Sequence, residues 1–340
     1  MQSSVNLTTL ARSRIAIAWA IGHAHLFPFS VRDRAARLFA SPEYCPVVPF
    51  TVDFFGQRYS GQLDSFIDWS VFMFGAYEEA VSKLMIRVLR EGFSKPPVVW
   101  DVGANCGHHT LLLAPHAEHV HAFEPVPSLC DSIAAKVREN ELHNITIHRF
   151  GLGAKNATLP FVPSPDRNLG TGAFCQPGDQ PQPNVATTYL PIISGDALVA
   201  AGAAAPQFLK IDVQEFEYQV LLGMHDTLQA SPPVIVLEYC NRLASQTDGL
   251  RRGKELLGVN YSWYDIEHSL GGGALKPFHY SSAEAMSHDF VVHIIGIPEE
   301  RATHSRKCFS VVSNHRADAA RDQRAGLDRG ESVLTLPTTG

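Results

Sequence analysis

The stretch that decides the fold runs from Val99 to Thr110 and reads VWDVGANCGHHT. An apolar run ends here in Asp101, a Gly-x-Asn-x-Gly turn follows, and a second apolar run begins at Leu111. This order is typical of a β-strand, a tight turn and a helix, in which glycines let the main chain approach a ligand closely. Open α/β sheets bind ligands at the carboxyl ends of their strands, so the stretch predicts a ligand site.

Apolar runs of strand length alternate with helix-like stretches from residue 97 onward. The runs are 98–100, 119–123, 145–150, 208–212, 234–238, 261–266 and 290–295. Between them, residues 128–140 and 215–229 have the pattern of helices of ten or more residues. This alternation predicts an α/β fold with a parallel sheet covered by helices on both faces. The last two runs are joined by glycines and polar residues, and we expect them to pair antiparallel at an edge.

Changes in composition divide the rest of the chain. Residues 1–48 are expected to form an N-terminal helical segment, and residues 49–96 a helical lead-in or cap in which 71–90 is a packed helix. The ligand-binding domain spans residues 97–298 and contains a long loop at 160–184, rich in Pro, Gly, Asn and Gln. Residues 299–340 have no regular period and are expected to be a disordered tail.

Composition argues against several classes of function. The 340 residues carry a net charge of −6 without a basic stripe, so nucleic acid is not an expected partner. The six cysteines lack the spacing of a zinc site, and reduced thiols in a cytoplasmic protein are favoured. The apolar run 15–21 is far shorter than the roughly 20 residues that span a bilayer. We interpret it as a packed or membrane-surface helix, with an N-terminal signal peptide as the alternative.

An acidic residue after the second strand run indicates an adenosine-containing cofactor. Glu124 lies about 20 residues after Gly103, where a carboxylate accepts hydrogen bonds from ribose hydroxyls. A dinucleotide fingerprint requires glycine where this chain has Asn105 and His108, so the loop does not suit a pyrophosphate. Asp101 instead suits a cationic ligand, because its carboxylate would lie beside the ammonium group of a methionine moiety.

In these residues the chain resembles the FkbM family of S-adenosylmethionine-dependent methyltransferases. The matching pieces, in the family's order and spacing, are GAYEE from Gly75, WDVGANCGHHTLLLA from Trp100, VHAFEPVPSLCDSIAAKVRENELHN from Val120, FLKIDVQEFEYQVLLG from Phe208 and PPVIVLE from Pro232. The resemblance covers residues 54–265. It implies a Rossmann-like sheet of seven strands, mostly parallel with one antiparallel edge strand, and S-adenosyl-L-methionine as the cofactor.

The resemblance also implies the residues that contact the cofactor. They are Asp101, Gly103, Asn105 and Gly107 along the methionine and sugar, Glu124 at the ribose hydroxyls and Gly151 near the adenine. The chain departs from the family at the turn after the fourth run, where Gln214-Glu215 replaces the usual Glu-Gly. This replacement alters the acceptor side of the expected site.

Methyl transfer from a sulfonium is an in-line displacement, so positioning supplies most of the catalysis. A hydroxyl acceptor also needs a base, and a carboxylate or an imidazole is suited to that role. Asp212, Glu238 and His109 are the candidates for the base or for holding the acceptor. We expect Glu217 to be a structural hydrogen-bond partner of its turn. His108 and His109 point about 100° apart on a helix, so no metal site is predicted.

The sequence thus predicts an S-adenosylmethionine-dependent methyltransferase that acts on a hydroxyl of a sugar, glycan or secondary metabolite. Family analogy alone supplies the preference for oxygen. One alternative, suggested by the altered Gln214-Glu215 turn, is a module that binds the cofactor without turnover. The other is an NAD-dependent oxidoreductase, which Asn105 and His108 disfavour. The expected partner is a small-molecule or glycan acceptor, with no nucleic acid and no firm association with a membrane.

Overall fold

The computed structural model of the chain describes residues 7–164, 172–176, 178, 185–240, 243, 256–257, 259–266, 275–277, 291–300, 310–312 and 333–335. The helices are α1 (Thr9–Gly22), α2 (Phe29–Ala40), α3 (Phe66–Phe74), α4 (Glu79–Glu91), α5 (His108–Leu113), α6 (Pro127–Glu139), α7 (Gly195–Ala200), α8 (Glu217–Leu222) and α9 (His225–Ala230), with a 3₁₀ turn at Ala114–His116. The strands are β1 (Pro49–Phe54), β2 (Gln57–Gln62), β3 (Val98–Val102), β4 (His119–Phe123), β5 (Ile145–His148), β6 (Gly151–Leu152), β7 (Ala157–Val162), β8 (Ala173–Phe174), β9 (Thr188–Ile193), β10 (Phe208–Ile211), β11 (Val234–Cys240), β12 (Tyr261–Ile266), β13 (Leu275–Pro277), β14 (Val291–Pro298), β15 (Ser310–Val312) and β16 (Val333–Thr335).

A large twisted sheet contains all seven predicted strand runs. Its order is β15-β16-β13-β12-β14-β11-β10-β3-β4-β5. Strands β5, β4, β3, β10 and β11 pair in parallel, whereas β14 pairs antiparallel with both β11 and β12. The predicted α/β class is therefore confirmed, and among the seven predicted strands four of the six pairings are parallel. The last two runs, β12 and β14, pair antiparallel as expected, but β14 does not lie at the edge because it also hydrogen-bonds to β11.

The two faces of this sheet bury different side chains of the same strands. Val99 and Phe208 face a layer that contains α4 and α5. Trp100 and Leu209 face the opposite layer, which contains α8 and α9. Successive strand residues point to opposite faces, and both faces are covered, so β3 is buried at every position.

The N-terminal part is helical, as expected, but the segment after it is only partly so. Helices α1 and α2 pack on α3 through buried side chains such as Ala18, Ala36 and Trp69. Residues 49–96 begin with an antiparallel hairpin of β1 and β2. The single helix expected at 71–90 is interrupted, since α3 ends at Gly75, which has a left-handed φ of +88°. Among the described residues, no helix combines the length and apolarity needed to cross a membrane.

Smaller elements also differ from the sequence-based expectations. The helix expected at 215–229 is divided into α8 and α9. Part of the loop expected at 160–184 belongs to a second sheet, of order β6-β9-β7-β8, and residues 165–171 and most of 177–184 lie outside the described residues. In the tail beyond residue 300, β15 and β16 are described and the remainder lies outside the described residues.

Candidate functional site

A cavity of about 290 Å³ opens at the carboxyl ends of β3, β4, β10 and β11. The sequence-predicted residues that line it are Gly103, Asn105, His109, Glu124, Gly151, Asp212 and Glu238. They come from separate parts of the chain because parallel strands end at the same edge of the sheet. Asp101 and Gly107 are not among the lining residues.

Asp101 lies behind the cavity wall rather than in it. It is completely buried, and its Oδ2 atom accepts a hydrogen bond from Thr110 Oγ1 at 2.6 Å. Its Oδ1 atom lies 3.3 Å from Lys210 Nζ, and the same ammonium donates to the carbonyl oxygen of Gly103 at 2.9 Å. Asp101 therefore fixes the loop through Lys210, and its carboxylate is not presented to a ligand as we had expected.

The two glycines of the loop approach other parts of the chain. Gly103 has φ +80°, and a Cβ atom built there would lie 1.9 Å from the carbonyl oxygen of Asp212. Gly107 has φ +87°, and a Cβ there would lie 3.0 Å from Ile133 of α6. The absence of side chains thus lets β3 meet β10 and lets α5 meet α6, and Gly103 in addition borders the cavity.

Glu124 and Asn105 shape the cofactor side of the cavity. Glu124 accepts backbone N–H groups at both oxygens, from Asn105 at 2.9 Å and from Val126 at 2.8 Å. Burial raises the pKa of the Glu124 carboxyl to about 7, although these hydrogen bonds favour the charged form. Each oxygen accepts a single bond from the backbone, so lone pairs remain for further donors.

Aromatic and aliphatic side chains form another part of the lining. They are Phe123, Leu129, Leu152, Phe161, Phe174 and Phe216. Gly151 lies beside them, since a Cβ there would approach Phe174 to 2.8 Å. An apolar wall beside a carboxylate suits a planar base attached to a ribose.

Asp212 and Glu238 form a pair on the side of β10 and β11. Gln214 Nε2 donates to Asp212 Oδ1 at 3.1 Å and lies 3.4 Å from Glu238 Oε2. Lys210 Nζ lies 3.6 Å from Asp212 Oδ2. Burial, and then the charge of Asp212, raise the pKa of Glu238 to about 9, so at neutral pH Glu238 holds a proton.

The turn after β10, which contains Gln214, has a strained backbone. Gln214 and Glu215 have φ values of +54° and +70°, in the left-handed region that favours glycine. Glu217 Oε1 accepts a hydrogen bond from the backbone N–H of Val213 at 3.1 Å, which is the structural role that we expected for it. Burial raises the pKa of Glu217 to about 7.

His108 and His109 are both buried, and their ring centroids lie 4.6 Å apart. His108 Nε2 accepts a hydrogen bond from the backbone N–H of Tyr77 at 3.2 Å. Burial lowers the pKa of His108 to about 3 and that of His109 well below its ordinary value, so both rings are neutral. His109 lines the cavity, and its Nε2 atom has no hydrogen-bond partner among the described residues. Within those residues no three potential ligands are grouped around a metal position.

Three side chains at or near the site, Glu78, His293 and Lys210, were not among the predicted site residues. Glu78, in the break between α3 and α4, lies 3.3 Å from His293 Nε2 on β14. His293 is the cross-strand partner of Glu238, a neighbour that only the inserted position of β14 creates. Lys210 was also missed as a positioning group. The period of two in β10 could have found it, because it places Lys210 on the same side as Asp212.

Comparison with known proteins finds similarity in residues 101–253. A family model described as the Methyltransferase FkbM domain matches residues 101–253. The hexuronic acid methyltransferase AglP of Haloferax volcanii is 33% identical over 153 residues, which are 45% of this chain and 60% of that protein. The chain thus spans less than two thirds of the relative's length. These matches extend over residues 101–253 and agree with the resemblance to FkbM methyltransferases that the sequence predicts.

Solved structures are also similar in part. The methyltransferase FkbM from Methylobacillus flagellatus is 18% identical, with a TM-score of 0.38 over 60% of this chain and 44% of that one. A putative methyltransferase from Streptococcus mutans is 11% identical, with a TM-score of 0.40 over 79% of this chain and 64% of that one.

Proposed function

We propose that the FkbM methyltransferase domain of this chain, residues 101–253, uses S-adenosylmethionine to methylate a hydroxyl group of a sugar or glycan. One observation carries the proposal: a single cavity unites Glu124, which suits a ribose, with Asp212 and Glu238, which suit an acceptor hydroxyl. The hexuronic acid methyltransferase among the relatives supports a sugar as the acceptor.

The residues of the cavity fit this cofactor, which when bound supplies a methyl group on a positively charged sulfur. Glu124 would hold the ribose hydroxyls with the lone pairs that Asn105 and Val126 leave open. Leu152 and Phe174 would cover the adenine with apolar surface. Lys210 and Asp101 would act indirectly, by holding the loop after β3 in place.

Asp212 is our candidate for the base that takes the proton of the acceptor hydroxyl. Lys210 faces one of its oxygens and Gln214 donates to the other, so the carboxylate has a fixed orientation. Protonated Glu238 would donate a hydrogen bond to a second oxygen of the acceptor. Neutral His109, with Nε2 toward no described partner, would accept a hydrogen bond from a further hydroxyl.

The charge of the lining bears on the choice of sugar. Lys210 is the one lysine or arginine in the described lining of the cavity, and it already faces Asp101 and Asp212. A carboxylate on the acceptor would therefore meet acidic groups there. A panel of acceptors should accordingly include neutral sugars beside hexuronic acids.

Two measurements test the proposal. Calorimetry with S-adenosylmethionine and with NAD identifies the cofactor, and tight binding of NAD alone would overturn the methyltransferase assignment. Incubation with methyl-labelled cofactor and the sugar panel, followed by mass spectrometry of the products, should then reveal an O-methylated sugar. Cofactor binding without transfer to any acceptor would instead support the non-catalytic module, the alternative that the strained Gln214-Glu215 turn suggests.

A further inference from the structure

The N-terminal helices expose an unusual amount of apolar surface. Ten of the fourteen exposed large apolar side chains in the described part of the chain lie between residues 10 and 47. The most exposed are Leu26 at 94%, Tyr44 at 89%, Leu38 at 77% and Leu10 at 70%. A concentration of this kind on a folded protein marks an interaction surface.

The turn between α1 and α2, with the start of α2, forms an exposed apolar tip at residues 25–31. Residues 25–31 are seven consecutive exposed positions, and four of them are large and apolar: Leu26, Phe27, Phe29 and Val31. Farther along α2, Arg34 and Leu38 follow Val31 at intervals of three and four residues, which places them on one outward stripe. An exposed apolar tip continued by such a stripe suits insertion into the interface of a bilayer.

The tip is held firmly by the rest of the domain. Buried Arg32 donates to the backbone carbonyls of Gly22 and Phe27, which ties the turn to the end of α1. Trp69 Nε1 donates to the carbonyl of Ala40 at 2.8 Å, which ties the end of α2 to α3. The exposed side chains are therefore presented by a packed helical hairpin.

The charge of this segment differs from that of the whole chain. Residues 1–40 contain five arginines, one aspartate and neither lysine nor glutamate, whereas the chain as a whole has a net charge of −6. Arg12 and Arg34 are exposed among the apolar side chains. Apolar residues mixed with arginine favour the surface of an anionic bilayer, where each cation near the surface contributes about 1 kcal/mol.

We propose that the α1–α2 hairpin binds the protein peripherally to anionic lipid bilayers, with Leu26 and Phe27 inserted at the interface. The far end of α2 is connected to the cavity wall, because Ala40 accepts a hydrogen bond from Trp69 and the ring of Trp69 packs near that of Phe66, which lines the cavity. The proposal does not depend on which acceptor the domain methylates.

Flotation of the full chain with lipid vesicles tests the proposal. We expect binding to phosphatidylcholine vesicles that contain about one third phosphatidylglycerol, weaker binding to phosphatidylcholine alone, and loss of binding in high salt. The double variant Leu26→Asp/Phe27→Asp should weaken binding at least about tenfold, and Arg34→Ala about fivefold. Tyr189→Asp is the matched control, since Tyr189 is 64% exposed on β9 and should bind like the wild type.

Tryptophan fluorescence gives a second readout. Of the four tryptophans, Trp19 is 43% exposed near the tip, whereas Trp69, Trp100 and Trp263 are buried. Vesicles should therefore shift the emission to shorter wavelength, and Trp19→Phe should abolish the shift. Equal flotation of the wild type and Leu26→Asp/Phe27→Asp would overturn the proposal. So would a dimer that fails to float and that the double variant converts to a monomer, because the tip would then bind a second copy.

Discussion

The Nζ atom of Lys210 lies 3.3 Å from Oδ1 of Asp101, and both side chains are almost completely buried. The two residues are cross-strand partners on β10 and β3. Lys210 also donates to the carbonyl of Gly103, so the pair connects the sheet to the loop that borders the cavity. Asp101 therefore acts through Lys210 as a positioning residue.

Removal of one partner should strongly destabilise the protein. Asp101→Asn leaves a buried ammonium with Asp212 as its remaining carboxylate, and breaking a buried ion pair costs about 3–5 kcal/mol. Urea denaturation should show this loss. Lys83→Gln is the control, because the Lys83–Glu79 pair is partly exposed and should contribute less than about 1 kcal/mol. Equal losses in the two variants would contradict the structural role of Asp101.

Glu124→Ala should weaken the binding of S-adenosylmethionine. Hydrogen bonds to a charged group contribute about 1.5–3 kcal/mol, and the variant also frees the backbone N–H of Asn105. Calorimetry at a fixed pH measures the change, with Glu118→Ala as the control at the exposed amino end of β4. Because the pKa of Glu124 is about 7, affinity should also rise between about pH 6 and pH 8 as the carboxylate forms. An unchanged dissociation constant would contradict the ribose role.

The parts of the fold that the sequence predicted are those with a strong local signal. Long apolar runs such as 208–212 and 234–238 predicted buried strands, and these two pair in parallel. The position of β14 between β11 and β12 has no such signal, because neighbours in a sheet are chosen by tertiary packing. The β1–β2 hairpin was missed for a similar reason, since its strands alternate weakly between exposed and buried residues.

The residues of the site were likewise predictable only where the sequence carries a local signal. Strand ends are visible in the sequence, so Glu124, Asp212 and Glu238 were found, and all three line the cavity. What each carboxylate faces is not visible. Asp101 precedes the loop just as a ligand residue would, yet its carboxylate forms an ion pair with Lys210 from another strand. His293, far along the chain on β14, lies beside Glu78 and opposite Glu238, and no spacing rule connects these residues.

Glu238 gives the stability of the protein a dependence on pH. The pKa of its carboxyl is about 9 in the folded protein and about 4.3 in the unfolded chain. Between these values the folded state binds more protons than the unfolded state. The stabilisation by this proton is complete below the unfolded pKa, and it is lost as the pH rises through the folded pKa.

The free energy of unfolding should therefore decrease from about pH 6 to about pH 9, by at most about 1.4 kcal/mol per pH unit. Glu238→Gln should flatten this dependence, because the amide does not titrate. Urea denaturation at several pH values checks it, with Glu79→Gln as the control at a partly exposed carboxylate. Parallel slopes for the wild type and Glu238→Gln would show that Glu238 is ionised at neutral pH.

Glu215→Gly should stabilise the protein. Glu215 has φ +70°, which costs an L-residue about 1–2 kcal/mol, while glycine adopts this conformation freely but loses more entropy on folding. The net gain should be about 0.5–1 kcal/mol in chemical denaturation. Gln219→Gly, within α8, is the control and should lose about 1 kcal/mol. A loss at both positions would mean that the side chain of Glu215 contributes more than its backbone strain costs.

Asp212→Asn should leave cofactor binding nearly intact and lower methyl transfer. The amide keeps the size of the side chain but cannot take a proton, and general base catalysis typically contributes about 10²–10⁴-fold to the rate. Single-turnover transfer from labelled cofactor to the acceptor found in the panel measures the change. Glu79→Gln, at a carboxylate that does not line the cavity, is the control for the loss of an acidic group. Transfer by Asp212→Asn at the wild-type rate would remove Asp212 as the base and leave His109, because Glu238 already holds a proton at neutral pH.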